Sequence, residues 1–320
     1  MKTKITLLFI SILLCVNSFA QNWSTLSTGM DNVVYSIAAD PATGTIYAGG
    51  NFTIAGGSPI NYLAKWDGTA WTNVGGGVNA AVNALYFENG VLYAGGNFTT
   101  AGATPANFIA KWDGTNWSAL GTGLDNGVLV IKGDGTGNIY VGGGFTTAGG
   151  NTAERIALWN GTSWSAMSSG LGIAGDYVET IESYNGNIYA GGRFQLAGAT
   201  PVNSIARWDG TNWNALTTGV TGLSGRVIGI KNYNSELYIC GSFTDAGGVA
   251  ANSLAKWNGT TWSALAAGGL TGGQSKPTSI EVLYGELYVG GNFTTAGSVS
   301  ALNIARYDGT NWNALGAGVN

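Results

Sequence analysis

Asp176, Glu179 and Glu182 follow one another at three-residue spacing in a chain that has no histidine. Without histidine the commonest general base and the commonest metal ligand are missing. A pair of carboxyls about 5–10 Å apart could still cleave a glycosidic bond, one as acid and the other as base or nucleophile. Asp176, Glu179 and Glu182 are the candidates for that chemistry. No GxSxG elbow, phosphate-binding loop or cysteine pair accompanies them, and Cys15 and Cys240 are the two cysteines of the chain. One acidic cluster of this kind is more often a solvated loop edge. The expectation is therefore a non-enzymatic protein with no cofactor and no metal site.

A second charged set emerges once the chain is aligned on its own repeat. One position reads Ala38, Tyr86, Lys132, Glu182, Lys231, Glu281. Four successive copies alternate Lys and Glu, which would form ion pairs between neighbouring units if that position faces a shared axis. Exposed pairs of this type contribute little, about 0–1 kcal/mol.

The elements that must position these residues come from a sixfold repeat. An Ile-Tyr or Leu-Tyr dipeptide begins at Ile46, Leu92, Ile139, Ile188, Leu237 and Leu287, at spacings of 46, 47, 49, 49 and 50. An aromatic recurs at Trp66, Trp112, Trp159, Trp208, Trp257 and Tyr307, and a second one five residues later at Trp71, Trp117, Trp164, Trp213, Trp262 and Trp312. Each unit divides into four strands, of which "VNALYF", "LYAGGNF", "FIAKW" and "WSALGTG" are examples for a, b, c and d. Turn sequences such as "ENG", "YNG" and "DGT" separate a from b and c from d, which makes those neighbours antiparallel. No helical periodicity is sustained. A four-stranded meander at this period is the signature of a propeller blade, because one sheet cannot bury both faces until neighbours stack around an axis.

The expected fold is thus all-β, a β-propeller of six four-stranded blades with an extra N-terminal d-type strand. The blades fall at about 33–76, 79–122, 126–170, 176–219, 225–268 and 276–320, in one domain spanning 21–320. Trp23 in "NWSTLSTGM" matches Trp312 in "NWNALGAGV". Strand 22–30 is therefore expected to close or supplement the last blade, unless the chain continues into another one.

The pattern "LYVGGNF…NIARYDGTNWNALGAG" resembles the repeat of the fungal cortical marker protein for cell polarity and its bacterial secreted relatives. In layout it is also similar to kelch repeats. The resemblance spans essentially all of residues 22–320. It implies an extracellular propeller used for surface organisation or recognition, with no catalytic motif to carry over.

Bulk properties agree with such a fold. Only 9% of the residues are charged while 54 are glycine and 45% are hydrophobic; about 25% charged is usual. Residues 1–20 read as a secretory signal peptide, with Lys2 and Lys4, an apolar run from Ile5 to Val16, and Ser18-Phe19-Ala20 before the cut. Its "SFAQ" ending resembles those of Bacteroidetes-type bacteria, so a secreted or cell-surface bacterial protein is expected. The net charge of −4 becomes −6 when residues 1–20, with two lysines and no acid, are removed. That balance argues against nucleic acid and against an anionic membrane surface, and the mature chain offers no integral membrane segment. Cys240 is then alone, so no intramolecular disulfide forms, and burial reads it as a small hydrophobe.

The b–c segment has constant length and looks structural, whereas the d–a connections vary most. Variable loops on a rigid scaffold are where recognition is usually built. Binding candidates there are Asp125, Asn126, Asp176, Tyr177, Arg226, Gln274 and Lys276, for an extracellular protein or glycan. Lys132, Glu182, Lys231 and Glu281 are the channel ion-pair candidates, and a monomer is expected.

Overall fold

The computed structural model describes residues 25–274 and 276–319. The signal peptide at 1–20 lies outside them, and so do residues 22–24 of the expected N-terminal strand.

Blade two shows how the sequence makes the unit. Strand a (Val82–Glu88) turns at Asn89-Gly90 into strand b (Val91–Gly96). Both turn residues have positive φ, 52° and 79°, which is what a two-residue turn between right-twisted strands requires. Strand c (Ile109–Trp112) pairs with b, and strand d (Trp117–Ala119) pairs with c, all antiparallel. The c–d turn is closed by Asp113, whose Oδ1 accepts the Thr115 and Asn116 N–H groups at 2.8 and 2.7 Å. Asn160 and Asn258 accept the same two bonds in blades three and five. A turn that needs only a side-chain oxygen takes either residue.

Five more sheets with the spatial order a-b-c-d repeat this plan. Their a strands are Val34–Ala39, Val128–Gly133, Tyr177–Tyr184, Arg226–Tyr233 and Lys276–Leu283. The core lies between blades. Separate apolar clusters join blade one to two, two to three, and so on to six. The six repeated phenylalanines, Phe52 to Phe293, are fully buried.

The strand b glycine lets the blades approach. A Cβ on Gly49 would sit 2.5 Å from Val82 Cγ1 of the next blade, and Gly142 and Gly191 meet Val178 and Val227 in the same way at 2.6 Å. In blade five Cys240 stands in the glycine's place. Its strand a neighbour is Gly229, so the glycine and the larger residue have exchanged strands. Cys240 is fully buried, and burial pushes its thiol up to about 12. It is a packing residue.

Two features differ from expectation. The b–c segment is not a plain link: it carries a two-stranded outer hairpin in every blade, such as Thr100–Ala101 with Thr104–Pro105. The preceding d–a connection pairs with that hairpin, through Val78 and Ala101, Leu124 and Ala148, or Leu171 and Ala197. Each blade is thereby laced to the next. The second difference concerns strand 22–30. Over its described part it forms a turn and one bridge, Met30 to Ala55. It lies on blade one, where Leu26 O accepts the Trp71 Nε1–H at 3.2 Å. Blade six has its own d strand, Trp312–Ala314, paired with c. The segment goes to blade one because the indole and the hairpin edge there need the partners that a preceding blade gives elsewhere.

Candidate functional site

The six a strands line one channel. Every one of them carries a bulge, which leaves one residue unpaired against strand b: Tyr35, Asn83, Leu129, Glu179, Ile228 and Thr278. A bulge re-aims the side chain it displaces. All six displaced residues meet around the mouth of the channel, on the side where the d–a connections enter. The sequence sign of this ring is the three-residue spacing of the apolar pair, as in Val178 and Ile181: both are buried, although a regular strand would turn them to opposite faces.

In blade four the bulged residue is Glu179, and both of its oxygens accept from Arg226, the first residue of strand a in blade five. The guanidinium also lies 5.5 Å from the centre of the Tyr177 ring. The carboxylate beside Arg226 raises its already high pKa further. Tyr177, Glu179 and Arg226 thus form one half-buried cluster across the joint between blades four and five. Asp176 works locally and caps its own loop by accepting from Ile173 N–H at 3.0 Å. Glu182 lies deeper and pairs with Lys132 at 2.7 Å, while Glu281 pairs with Lys231 at 2.8 Å. Each of the three acids that could have served a glycosidase is therefore engaged with a different partner.

The d–a candidates separate into two kinds. Asp125 faces inward to the lacing: its carboxylate accepts Thr146 N–H, Thr147 N–H and the Thr146 hydroxyl. Asp31 and Asn79 make the equivalent bonds in blades one and two. Asn126 caps its neighbour Gly127 at 2.7 Å. Gln274 and Lys276 are exposed and bonded to one another at 2.9 Å. Outside the lacing, the longer connections before blades four and five present bare apolar tips. Ile173 is 63% exposed and Leu223 is 67% exposed. They stand at the two loops that flank Tyr177, Glu179 and Arg226. Sequence reasoning passed over both. The available signal was the inserted residues at 172–175 and 222–225, where an aliphatic side chain sits among glycines.

The repeated tryptophans belong to the scaffold. Trp117, Trp164, Trp213 and Trp262 donate Nε1–H to the carbonyls of Val74, Leu120, Met167 and Leu216 in the preceding blade. Each packs tilted against the strand c aromatic, with ring centroids 5.1–5.4 Å apart. The cations before that aromatic lie opposite the strand b tyrosines, as Lys65 does to Tyr47 and Arg207 to Tyr189. Among the described residues no group of three His, Cys, Asp or Glu is placed to hold a metal ion. No helix among them is long and apolar enough to cross a membrane.

Residues 285–312, strands b and c of blade six with the start of d, match a family described as a domain of unknown function (DUF5122) beta-propeller. A computationally designed protein, Ika8, superposes with a TM-score of 0.52 at 14% identity, over 89% of this chain and 86% of that one. The WD40 repeats of RRP9 give 0.52 at 12% identity, over 85% and 78%. The WD40 beta propeller domain of Doa1 gives 0.52 at 15% identity, over 86% and 78%. The chain is a β-propeller. At these identities the likeness concerns the fold alone. No curated protein matches the chain.

Proposed function

We propose that this propeller is a secreted, non-enzymatic recognition module, which binds an extracellular protein or glycan on the face where the d–a connections enter. The observation that carries the reading is the pair of exposed aliphatic tips, Ile173 and Leu223, on either side of the Tyr177–Glu179–Arg226 cluster. Among the described residues the other nine exposed large apolar side chains lie on blade one, the segment before it or blade six, so these two stand alone between blades two and five, and such groups mark interaction sites. Arginine and tyrosine are enriched where binding energy concentrates. Two aliphatic groups favour a protein surface as the ligand; a tyrosine ring beside an arginine also suits a sugar face.

Secretion rests on the charged, apolar and small-residue regions of residues 1–20. The surface role rests on the sequence resemblance to the fungal cortical marker and its secreted relatives. The absence of enzymatic activity rests on the engagement of Asp176, Glu179 and Glu182 with separate partners. Nothing in this reading calls for a cofactor or a nucleic acid, and the module acts as a monomer.

The test is a protein and glycan array probed with residues 21–320, followed by the Ile173→Ser/Leu223→Ser double variant. The variant should lose the ligand by ten-fold or more and keep its melting temperature. Retention of full affinity would remove this face from the account. Glycoside turnover that vanishes in Glu179→Gln would replace the recognition reading by an enzymatic one.

A further inference from the structure

Five joints connect the six blades, and each buries the same positions. On the front of a blade the first strand c residue is covered: Leu63, Ile109, Ile156, Ile205 and Leu254 are 0–1% exposed. On the back of the following blade the second apolar residue of strand a is covered: Leu85, Ile131, Ile181, Ile230 and Ile280 are 1–7% exposed. At the sixth position neither is covered. Ile304, on the front of blade six, is half-buried, and Ile37, on the back of blade one, is 66% exposed. The a strands of blades six and one do not pack as those of the other neighbours do.

The glycine seat tells the same story. The Cβ that collides with the next blade's valine at Gly49, Gly142 and Gly191 would meet only Asn303 O, at 3.9 Å, when placed on Gly290. Nine of the eleven exposed large hydrophobic side chains among the described residues lie on blade one, its lacing segment or blade six. The gap also has part of a blade already in it. Leu26 O and Met30 give blade one the indole acceptor and the hairpin bridge that the d strand and d–a connection of a preceding blade give elsewhere. The described chain thus has seven d-type ends for six a–b–c sets.

We infer that the gap between blades six and one is a docking site for one further a–b–c unit of this same repeat, a three-stranded antiparallel meander. Its chemistry is fixed by the two faces it must meet. It carries a β-branched aliphatic residue for the empty seat at Gly290, its own strand b glycine opposite Val34, and an aliphatic strand c residue over Ile37. A second whole copy of the chain does not meet both faces with one blade, because the front-to-back joint is heterologous and its other blades travel with it.

The test joins a copy of residues 82–112, strands a, b and c of blade two, through a Gly/Ser linker to the C-terminus of residues 21–320. The joined chain should melt in one transition several degrees above its parent, with nearly the parent's radius of gyration. Hydrogen exchange should slow at residues 34–39 and 304–307, a reading that holds even where the melt is irreversible. Gly290→Val should abolish the gain in the joined chain and leave the parent's melting temperature unchanged. A dangling unit, with no thermal gain and an enlarged radius, would overturn the inference. So would a parent that sediments as a dimer and is dissociated by Ile37→Ser, since a second copy would then cover these faces.

Discussion

Single side chains hold this fold through a few repeated bonds. The strand d indoles are the clearest case. Trp164 is buried and its Nε1–H donates to Leu120 O at 2.7 Å, across the joint between blades two and three. Trp164→Phe keeps a ring against Trp159 and removes the donor, so a buried carbonyl is left without its partner. That should cost about 1–3 kcal/mol in a chemical denaturation experiment. The turn aspartates act on the outside. Thr69 Oγ1–H, Ala70 N–H and Thr69 N–H all donate to Asp67 and hold its carboxyl down to about 2. A carboxyl whose folded pKa lies below its unfolded one contributes stability above the unfolded value and loses it as pH falls through the folded one. The contribution of Asp67 should therefore fade between about pH 4 and pH 2. Asp67→Asn makes the bonds that Asn160 and Asn258 make, so its melting temperature should match the parent at pH 7 and decline less steeply in acid.

At the scale of the element, the strands were legible and their connections were not. Six recurrences of the Ile/Leu-Tyr dipeptide and the paired aromatics placed every b, c and d strand, because each repeats a burial pattern that packing between blades demands. The outer hairpin escaped because its strands are two residues long and built from small side chains, as in "TTAGATP", with no alternation to read. The bulge at Glu179 is written in the three-residue spacing of Val178 and Ile181, since both are buried and a regular strand would turn them to opposite faces; which side chain it re-aims depends on the partner strand. Ion-pair candidates were readable as an alternation, yet their actual partners depend on which blades are neighbours. The d–a connections looked free and are instead tied down over their first half. Asp125 is the tie before blade three, and Asn79 does the same work before blade two. Asp125→Ala should lower stability by about 1–2 kcal/mol, the range of a lost cap. Asp125→Asn should restore most of it, and thermal denaturation distinguishes the two. What stays uncovered is the pair of side chains at Ile173 and Leu223, on which the recognition reading rests.

For the whole molecule, a chain with 9% charged residues and 54 glycines is stabilised by stacking thin sheets front to back. Closing a sheet or a ring removes exposed edges and faces; four of the five joints here do so with a valine set over a strand b glycine, and the fifth sets Ile280 against Gly229. The channel mouth and two loop tips are the distinctive part of an otherwise repetitive exterior. The blades join by one front-to-back geometry, and the joint between blades six and one stays open. The most direct measurement compares the melting temperatures of Gly142→Val and Gly290→Val in residues 21–320. At Gly142 the new side chain runs into Val178 and Val130, so overpacking should cost about 1–3 kcal/mol. At Gly290 there is open space, and the melting temperature should not move. Equal destabilisation at both positions would show a sixth joint made in solution and would contradict the account.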